Sequence, residues 1–262
     1  MKNLIILSAD LEDKSKGLVG FINSLKKNYS SYYANWRIVI ITPEQFQNEK
    51  IKIVISGKNI EFAKVKSPGF KNIYLYKTIL GDFVASNFSP DEEILYLDYD
   101  HICFGMINLP KIMDNEIYTS SEHHHLFLDL LPDKYRSTKI DFHCNTSLIY
   151  SRANSIIKIS SDWKRIGMDF ETSGNSDEIA FTLSAIINDI NLKFVSPSIQ
   201  SNWLNLSQAP LFHYGGHTSY ALELKNILSE KKYKSILNSQ DIKNELEMKY
   251  FMQIVGFLGK DT

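Results

Sequence analysis

Cysteine is scarce in this chain. Only Cys103 and Cys144 occur in 262 residues, and neither stands in a C-x-x-C or other metal-binding or redox spacing. Two free thiols in a reducing compartment are expected, and no cysteine-built site. The chain also lacks an excess of either charge: 29 Lys and Arg against 30 Asp and Glu leave a formal net charge of −1. No global positive field is available to recruit nucleic acid, which is therefore not an expected partner. No run of 18 apolar residues occurs, so no transmembrane span is expected. The apolar start at residues 4–7 passes at once into Ser8, Ala9, Asp10, Leu11, Glu12 and Asp13. That run is too short for the apolar core of a signal peptide and reads as a first strand. Internal repeats, low-complexity stretches and clear linkers are also missing. The expected location is cytoplasmic. The basic, partly amphipathic stretch 225–234 leaves open a peripheral contact with the inner face of a membrane, although an ordinary solvated helix explains it as well.

With 44% hydrophobic and 23% charged residues, the chain has the means to build one sizeable core, and a single domain over 1–262 is expected. Short apolar runs at 4–7 and 37–42 flank residues 17–27, where Leu18, Phe21, Ile22 and Leu25 recur at helical spacing, a β-α-β beginning. Further strands are predicted at 51–55 and 62–65, and Pro68-Gly69 marks a turn. A helix is predicted over 74–88, with Ile73, Lys77, Leu80 and Val84 on one face and Pro90 beyond its end. Strands are predicted at 94–97, 102–104, 117–121, 146–150 and 194–196. Helices are predicted over 176–188, from 220 to about 237, and over 242–257. Strands alternating with helices imply an α/β domain whose mixed, mostly parallel sheet is flanked by helices.

The run Ile94-Leu95-Tyr96-Leu97 ends directly in Asp98-Tyr99-Asp100. Two acids at i and i+2 on a strand point to one face, and burying them side by side is unfavourable unless a cation neutralises them or one takes a proton. Where a buried strand emerges, such a pair can instead gather oxygen ligands around Mg²⁺ or Mn²⁺. An ion held there binds phosphates and stabilises the charge that builds on a departing diphosphate. D-x-D alone is a weak signal. Its place at the end of an apolar strand is stronger, because open α/β sheets bind ligands at the carboxyl ends of their strands.

The segment from Glu93 to Asp100, Glu-Ile-Leu-Tyr-Leu-Asp-Tyr-Asp, resembles the D-x-D strand of GT-A glycosyltransferases, particularly the glycogenin-like family eight enzymes. Other segments match in the same order. The opening strand, loop and helix (4–27) resemble that family's nucleotide-binding start, and Lys77 falls where those enzymes carry a basic residue near the donor. Asn145-Thr146-Ser147 resembles their Asn-Ser-Gly strand entry, Ser176-Asp177-Glu178 their Asp-Gln helix start, and Phe212-His213-Tyr214-Gly215-Gly216 their late metal loop. Three departures stand out. Ser147 replaces a usual glycine, Glu178 replaces a common glutamine, and the Lys-Pro-Trp that often follows the histidine is absent.

The resemblance implies a Rossmann-like GT-A fold in which 1–104 form the nucleotide-sugar-binding half, 105–220 the acceptor and metal half, and 221–262 C-terminal helices. It implies transfer of a hexose-type sugar from a nucleotide donor, UDP by preference, to a glycan or lipid-linked glycan. Retention of anomeric configuration is the outcome it favours. The small single-domain format points to surface-polysaccharide synthesis. Ser8, Ala9, Asp10, Lys77, Asp98, Tyr99, Asp100 and Asn145 are the expected donor-binding residues. Asp98, Asp100 and His213 are the expected metal ligands, with His217 as the alternative imidazole.

Asp177 and Glu178 are the candidate catalytic residues. Asp177 reads equally as a contact to sugar hydroxyls, as a base, or as a helix N-terminal carboxylate stabilised by the macrodipole. His123-His124-His125 reads as the acceptor side of the cleft or as a surface loop. Asn145 reads as a sugar contact or a turn cap, and Trp163 and Trp203 as stacking platforms or core. Two other functions compete. A nucleotidyltransferase also uses paired aspartates and metal, but residues 8–16 are acidic and lack the Gly-rich basic loop it would need. An inactive nucleotide-sugar or glycan-binding module on the same fold is the other.

Overall fold

Alternation of side chains along the first strands builds two apolar layers around one sheet. The structure, a computed structural model, describes residues 2–7, 12–28, 36–44, 57–66, 73–123, 133–135, 138, 140, 142–170, 176–202 and 209–213. The strands β1 (Lys2–Leu7), β2 (Trp36–Pro43), β3 (Ile60–Val65), β4 (Glu93–Asp98), β6 (Glu116–His123), β7 (His143–Arg152) and β8 (Asn191–Phe194) form a seven-stranded sheet in the order β3-β2-β1-β4-β7-β6-β8. Only β7 runs against its neighbours. The sheet is mixed and mostly parallel, as the strand and helix pattern implied.

Leu4, Ile38, Ile40, Leu95 and Leu97 pack with Leu18, Phe21, Ile22 and Leu25 of helix α1 (Glu12–Asn28). Ile5, Val39, Ile41, Ile94 and Tyr96 belong to the opposite layer, under α2 (Ile79–Asn87), α3 (Ala153–Asp169) and α4 (Ser176–Ile187). Both faces of the central strands are therefore covered, which is why they read as unbroken apolar runs.

Four local expectations are revised. The stretch read as one helix over 74–88 is a 3₁₀ turn, Ile73–Thr78, that leads into α2, so Lys77 ends the tighter turn. The late strand is β8 at Asn191–Phe194, not 194–196, because it pairs with Glu116 to Thr119 of β6. Helix α3 was not anticipated, although Ile156, Ile159, Trp163 and Ile166, all buried, carry its spacing. A small second sheet of β5 (His101–Cys103), β10 (Leu211–His213) and β9 (Gln200–Asn202) was foreseen only as a continuation after Asp100. The strand predicted at 51–55 and the helices beyond 220 lie outside the described residues.

Helices α2 and α3 meet at Gly81, where a β-carbon would fall 2.0 Å from Cβ and 2.9 Å from Cα of Ser160. Backbone cannot yield that space, so Gly81→Ala is expected to cost about 1–3 kcal/mol by overpacking. Urea unfolding measures it, and an unchanged midpoint would show that the two helices part without penalty.

The chain passes from β1 through α1 to β2 on one side of β1, and β4 lies on its other side. The carboxyl ends of β1 and β4 therefore flank a switch point in strand order, where open α/β sheets take ligands. Leu7 pairs with Asp98 there.

Candidate functional site

Asp98 is the last residue of β4, and Tyr99 and Asp100 form a bend before β5. The two acids thus leave the strand rather than continuing it, so the break in the ladder sets their directions. Asp98 Oδ1 accepts from the Tyr96 hydroxyl at 2.5 Å, and Oδ2 accepts from Lys77 Nζ at 2.8 Å. Lys77 also meets Thr146 Oγ1 at 3.3 Å and Asp177 Oδ2 at 3.4 Å, so the three N–H groups of its ammonium all face protein acceptors. Burial opposes that charge, but Asp98, Asp177 and Glu178 outweigh it and raise the pKa of Lys77.

Strand β10 brings in the imidazole. It pairs antiparallel with β5 so that His213 stands opposite His101, and His213 Nε2 lies 3.4 Å from Asp100 Oδ1. One ligand atom each from Asp98, Asp100 and His213 falls within 4.8 Å of the others. Asp100 Oδ1 is buried and makes no hydrogen bond. Burial works against its charge, yet the facing His213, with help from His101 and Lys77, brings the pKa of Asp100 down to about 2. His213 is raised in turn, burial notwithstanding, because Asp100 and Asp98 face it.

Helix α4 contributes the other two acids. Asp177, almost fully buried, accepts from Thr146 Oγ1 at 2.9 Å, and its carbonyl accepts from Trp163 Nε1 at 3.1 Å. Trp163 is thus core, packed edge-on against Phe181 at 4.9 Å, and supports Asp177 from below. Glu178 Oε1 accepts from Asn145 Nδ2 at 3.0 Å, while its Oε2 lies 3.4 Å from His143 Nε2. Asn145 Oδ1 accepts from Ser120 Oγ at 2.7 Å and from Ser147 N at 3.0 Å.

Burial, then the like charges of Glu178 and Asp98, lift the Asp177 carboxyl to about 6 in spite of Lys77. Carbon-13 NMR of metal-free protein is expected to show Asp177 titrating near that value. Between about pH 4 and 6 the folded chain holds a proton the unfolded chain has lost, so this group subtracts stability as pH rises through that window. Added Mg²⁺ is expected to lower the midpoint, because a nearby cation favours the carboxylate. A midpoint indifferent to Mg²⁺ would separate Asp177 from any metal at Asp98.

No known family profile and no curated protein sequence matches the chain. Solved structures do. The galactosyltransferase LgtC, in a complex with donor and acceptor sugar analogues, superposes with a TM-score of 0.62 over 99% of this chain and 97% of its own, at 13% identity. An active-site glutamine-to-glutamate variant of LgtC gives 0.57 at 12% identity over 97% and 95%. The bifunctional glycosyltransferase WbbM gives 0.54 at 10% identity, over 90% of this chain and 51% of that one. The fold is the GT-A fold of glycosyltransferases. Identities this low carry the architecture and leave the chemistry to the residues.

On that GT-A sheet, Lys77, Asp98, Asp100, Asn145, Asp177, Glu178 and His213 gather in one connected polar cluster. Tyr99 packs against the apolar layer beside α1. Ser8, Ala9, Asp10, His124, His125, Trp203, Gly215, Gly216 and His217 lie outside the described residues, as does the side chain of His123. Sequence reasoning missed Tyr96, Thr146, Ser120, His101 and Gln200. For His101 the signal was there: an imidazole placed directly between Asp100 and the apolar run Ile102 to Phe104.

Proposed function

We propose that this chain is a metal-dependent glycosyltransferase that moves a hexose-type sugar from a UDP-sugar to an acceptor hydroxyl on a glycan or lipid-linked glycan. The observation that carries this reading is the convergence of Asp98, Asp100 and His213 at the carboxyl end of β4 on a GT-A sheet. Two carboxylates and an imidazole suit Mn²⁺, and also Mg²⁺. Asp100 Oδ1, buried and short of a full hydrogen bond, meets the His213 ring at 3.4 Å and keeps a lone pair for an ion. Among the described residues, the four carboxylates of Asp98, Asp100, Asp177 and Glu178 face one permanent cation, Lys77, an excess of negative charge that a divalent ion relieves. The residues present fit the ion.

Asp98, Asp100 and His213 would hold it, leaving positions for diphosphate oxygens. Bound there, the metal supplies Lewis-acid stabilisation of the leaving diphosphate. The remaining groups act on their own account. Lys77 fixes the Asp98 and Asp177 carboxylates by direct bonds and so keeps both acids aimed at one point. Asn145 keeps one amide N–H beyond its bond to Glu178, enough for a sugar hydroxyl. Asp177, with a pKa near 6, is placed to accept a hydroxyl proton or to hold the sugar through a hydrogen bond.

On this reading 1–104 serve the nucleotide sugar, 105–220 the acceptor and metal, and the acceptor enters from the side of 118–125. Among the described residues no helix is long and apolar enough to cross a membrane. A cytoplasmic enzyme in surface-polysaccharide synthesis, touching the membrane only at its face, agrees with that.

A panel of nucleotide sugars screened for Mn²⁺-dependent hydrolysis tests the proposal, with a UDP-sugar expected as the responder. UDP binding indifferent to Mn²⁺ in calorimetry would defeat it. NMR of the product then reads the anomeric configuration, where retention is expected and inversion would overturn that part alone.

A further inference from the structure

A buried chain of neutral polar side chains runs beneath the metal-binding residues. His101 is fully buried, with Nδ1 2.8 Å from the carbonyl oxygen of Asp98 and Nε2 2.7 Å from Gln200 Nε2. A carbonyl only accepts and an amide NH₂ only donates, so both neighbours demand the same neutral tautomer, protonated at Nδ1. Burial, and then the adjacent His213, lower the pKa of His101 to about 3. With both nitrogens engaged, this imidazole is not a ligand.

From Gln200 the donors also run the other way, toward Asn145. Gln200 Nε2 donates to Ser147 Oγ at 3.4 Å, Ser147 Oγ to Ser120 Oγ at 3.2 Å, and Ser120 Oγ to Asn145 Oδ1 at 2.7 Å. Asn145 then donates to Glu178. Every link has its proton and its acceptor, so the network is satisfied throughout, the condition under which buried polar groups stiffen a site. The His101 ring also stacks on His213, with centroids 4.8 Å apart and planes at 21°, while Phe21 lies 5.9 Å from it. Ser147, whose hydroxyl joins the two halves, stands where the resembled family has glycine.

We infer that His101, Gln200 and Ser147 form a positioning relay that holds the Asp98 to Asp100 bend and the His213 ring in metal-binding geometry and couples them to Asn145 and Glu178. The inference rests on the metal reading above. The hydrogen bond to the Asp98 carbonyl fixes the backbone from which both carboxylates spring, and the stack fixes the plane of the imidazole. Groups of this kind set ligand orientation and hence affinity.

Calorimetric titration of the full chain with Mn²⁺ is the test, beside nitrogen-15 NMR of the metal-free protein to read the His101 tautomer. His101→Leu is expected to weaken Mn²⁺ binding about 10–100-fold. Ser147→Gly should weaken it by less, and the double variant no more than His101→Leu alone, because both break one chain. Nitrogen-15 shifts should show the proton on Nδ1. A folded His101→Leu protein that binds as wild type, additive losses in the double variant, or a proton on Nε2 would each overturn the relay. If His101→Leu fails to fold, Gln200→Leu leaves the ring stacked and removes only its partner. Unchanged affinity there overturns the relay equally. Wild-type protein that ignores Mn²⁺ would bring down the metal reading and the relay together. Wild-type binding that is lost in Asp100→Asn but kept in His101→Leu would bring down the relay alone.

Discussion

Asp100→Asn is expected to lose roughly 10³-fold in kcat/KM with any donor the chain accepts, on the order of 4 kcal/mol of transition-state stabilisation. The side chain is buried and its Oδ1 faces His213 at 3.4 Å, so on the proposed reading the substitution removes a metal ligand and the charge that His213 faces. The metal-free protein should tolerate the change, since one of several crowded negative charges is gone. Without that carboxylate His213 loses what raises it, and its pKa should fall. Thermal unfolding with and without Mn²⁺ separates the two effects. Wild type should gain about 2.7 kcal/mol at a hundred times its Kd, and the variant nothing at that concentration. A variant still stabilised by Mn²⁺ and still active would place the ion elsewhere.

Lys77→Met should act on stability first. It deletes the cation that Asp98 and Asp177 share and leaves both acids buried without it, a situation that costs about 3–5 kcal/mol. The remedy is also predictable. Freed of the lysine, both carboxyls take up protons more readily in the folded state than in the unfolded chain. The loss should therefore be largest at neutral pH and shrink as pH falls, as it must for acids with raised folded pKa values. Divalent ions should recover part of it. Lys77→Arg is a weaker substitute, because a planar guanidinium cannot place three N–H groups where the tetrahedral ammonium does. An unfolding midpoint unmoved by Lys77→Met would mean that the ion pairs carry no net stability. The role assigned to Lys77 would then fall.

Much of the sheet was legible in the chain because burial on both faces leaves a mark. Residues 4–7, 38–41 and 94–97 are unbroken apolar runs, and each lies in a central strand. Helix α3 left a mark of the same clarity in Ile156, Ile159, Trp163 and Ile166 and was passed over. Periodicity alone did not show that the stretch before α2 tightens into a 3₁₀ turn at Lys77. Nor did it show where β8 begins, because short strands are defined by the partner they pair with.

Residue types and local spacing by themselves determined an α/β sheet and an acidic pair at a strand's end, while the short roster of other polar residues came from the family resemblance. Only the tertiary structure decided which of these meet. Strand order places Leu7 beside Asp98, antiparallel pairing of β10 with β5 sets His213 over His101 and near Asp100, and α4 delivers Asp177 to Lys77. The reason is one of range. Side-chain alternation and helical period act over a few residues and are written locally, whereas a site assembled from β4, β10 and α4 depends on long-range pairings that no local pattern encodes.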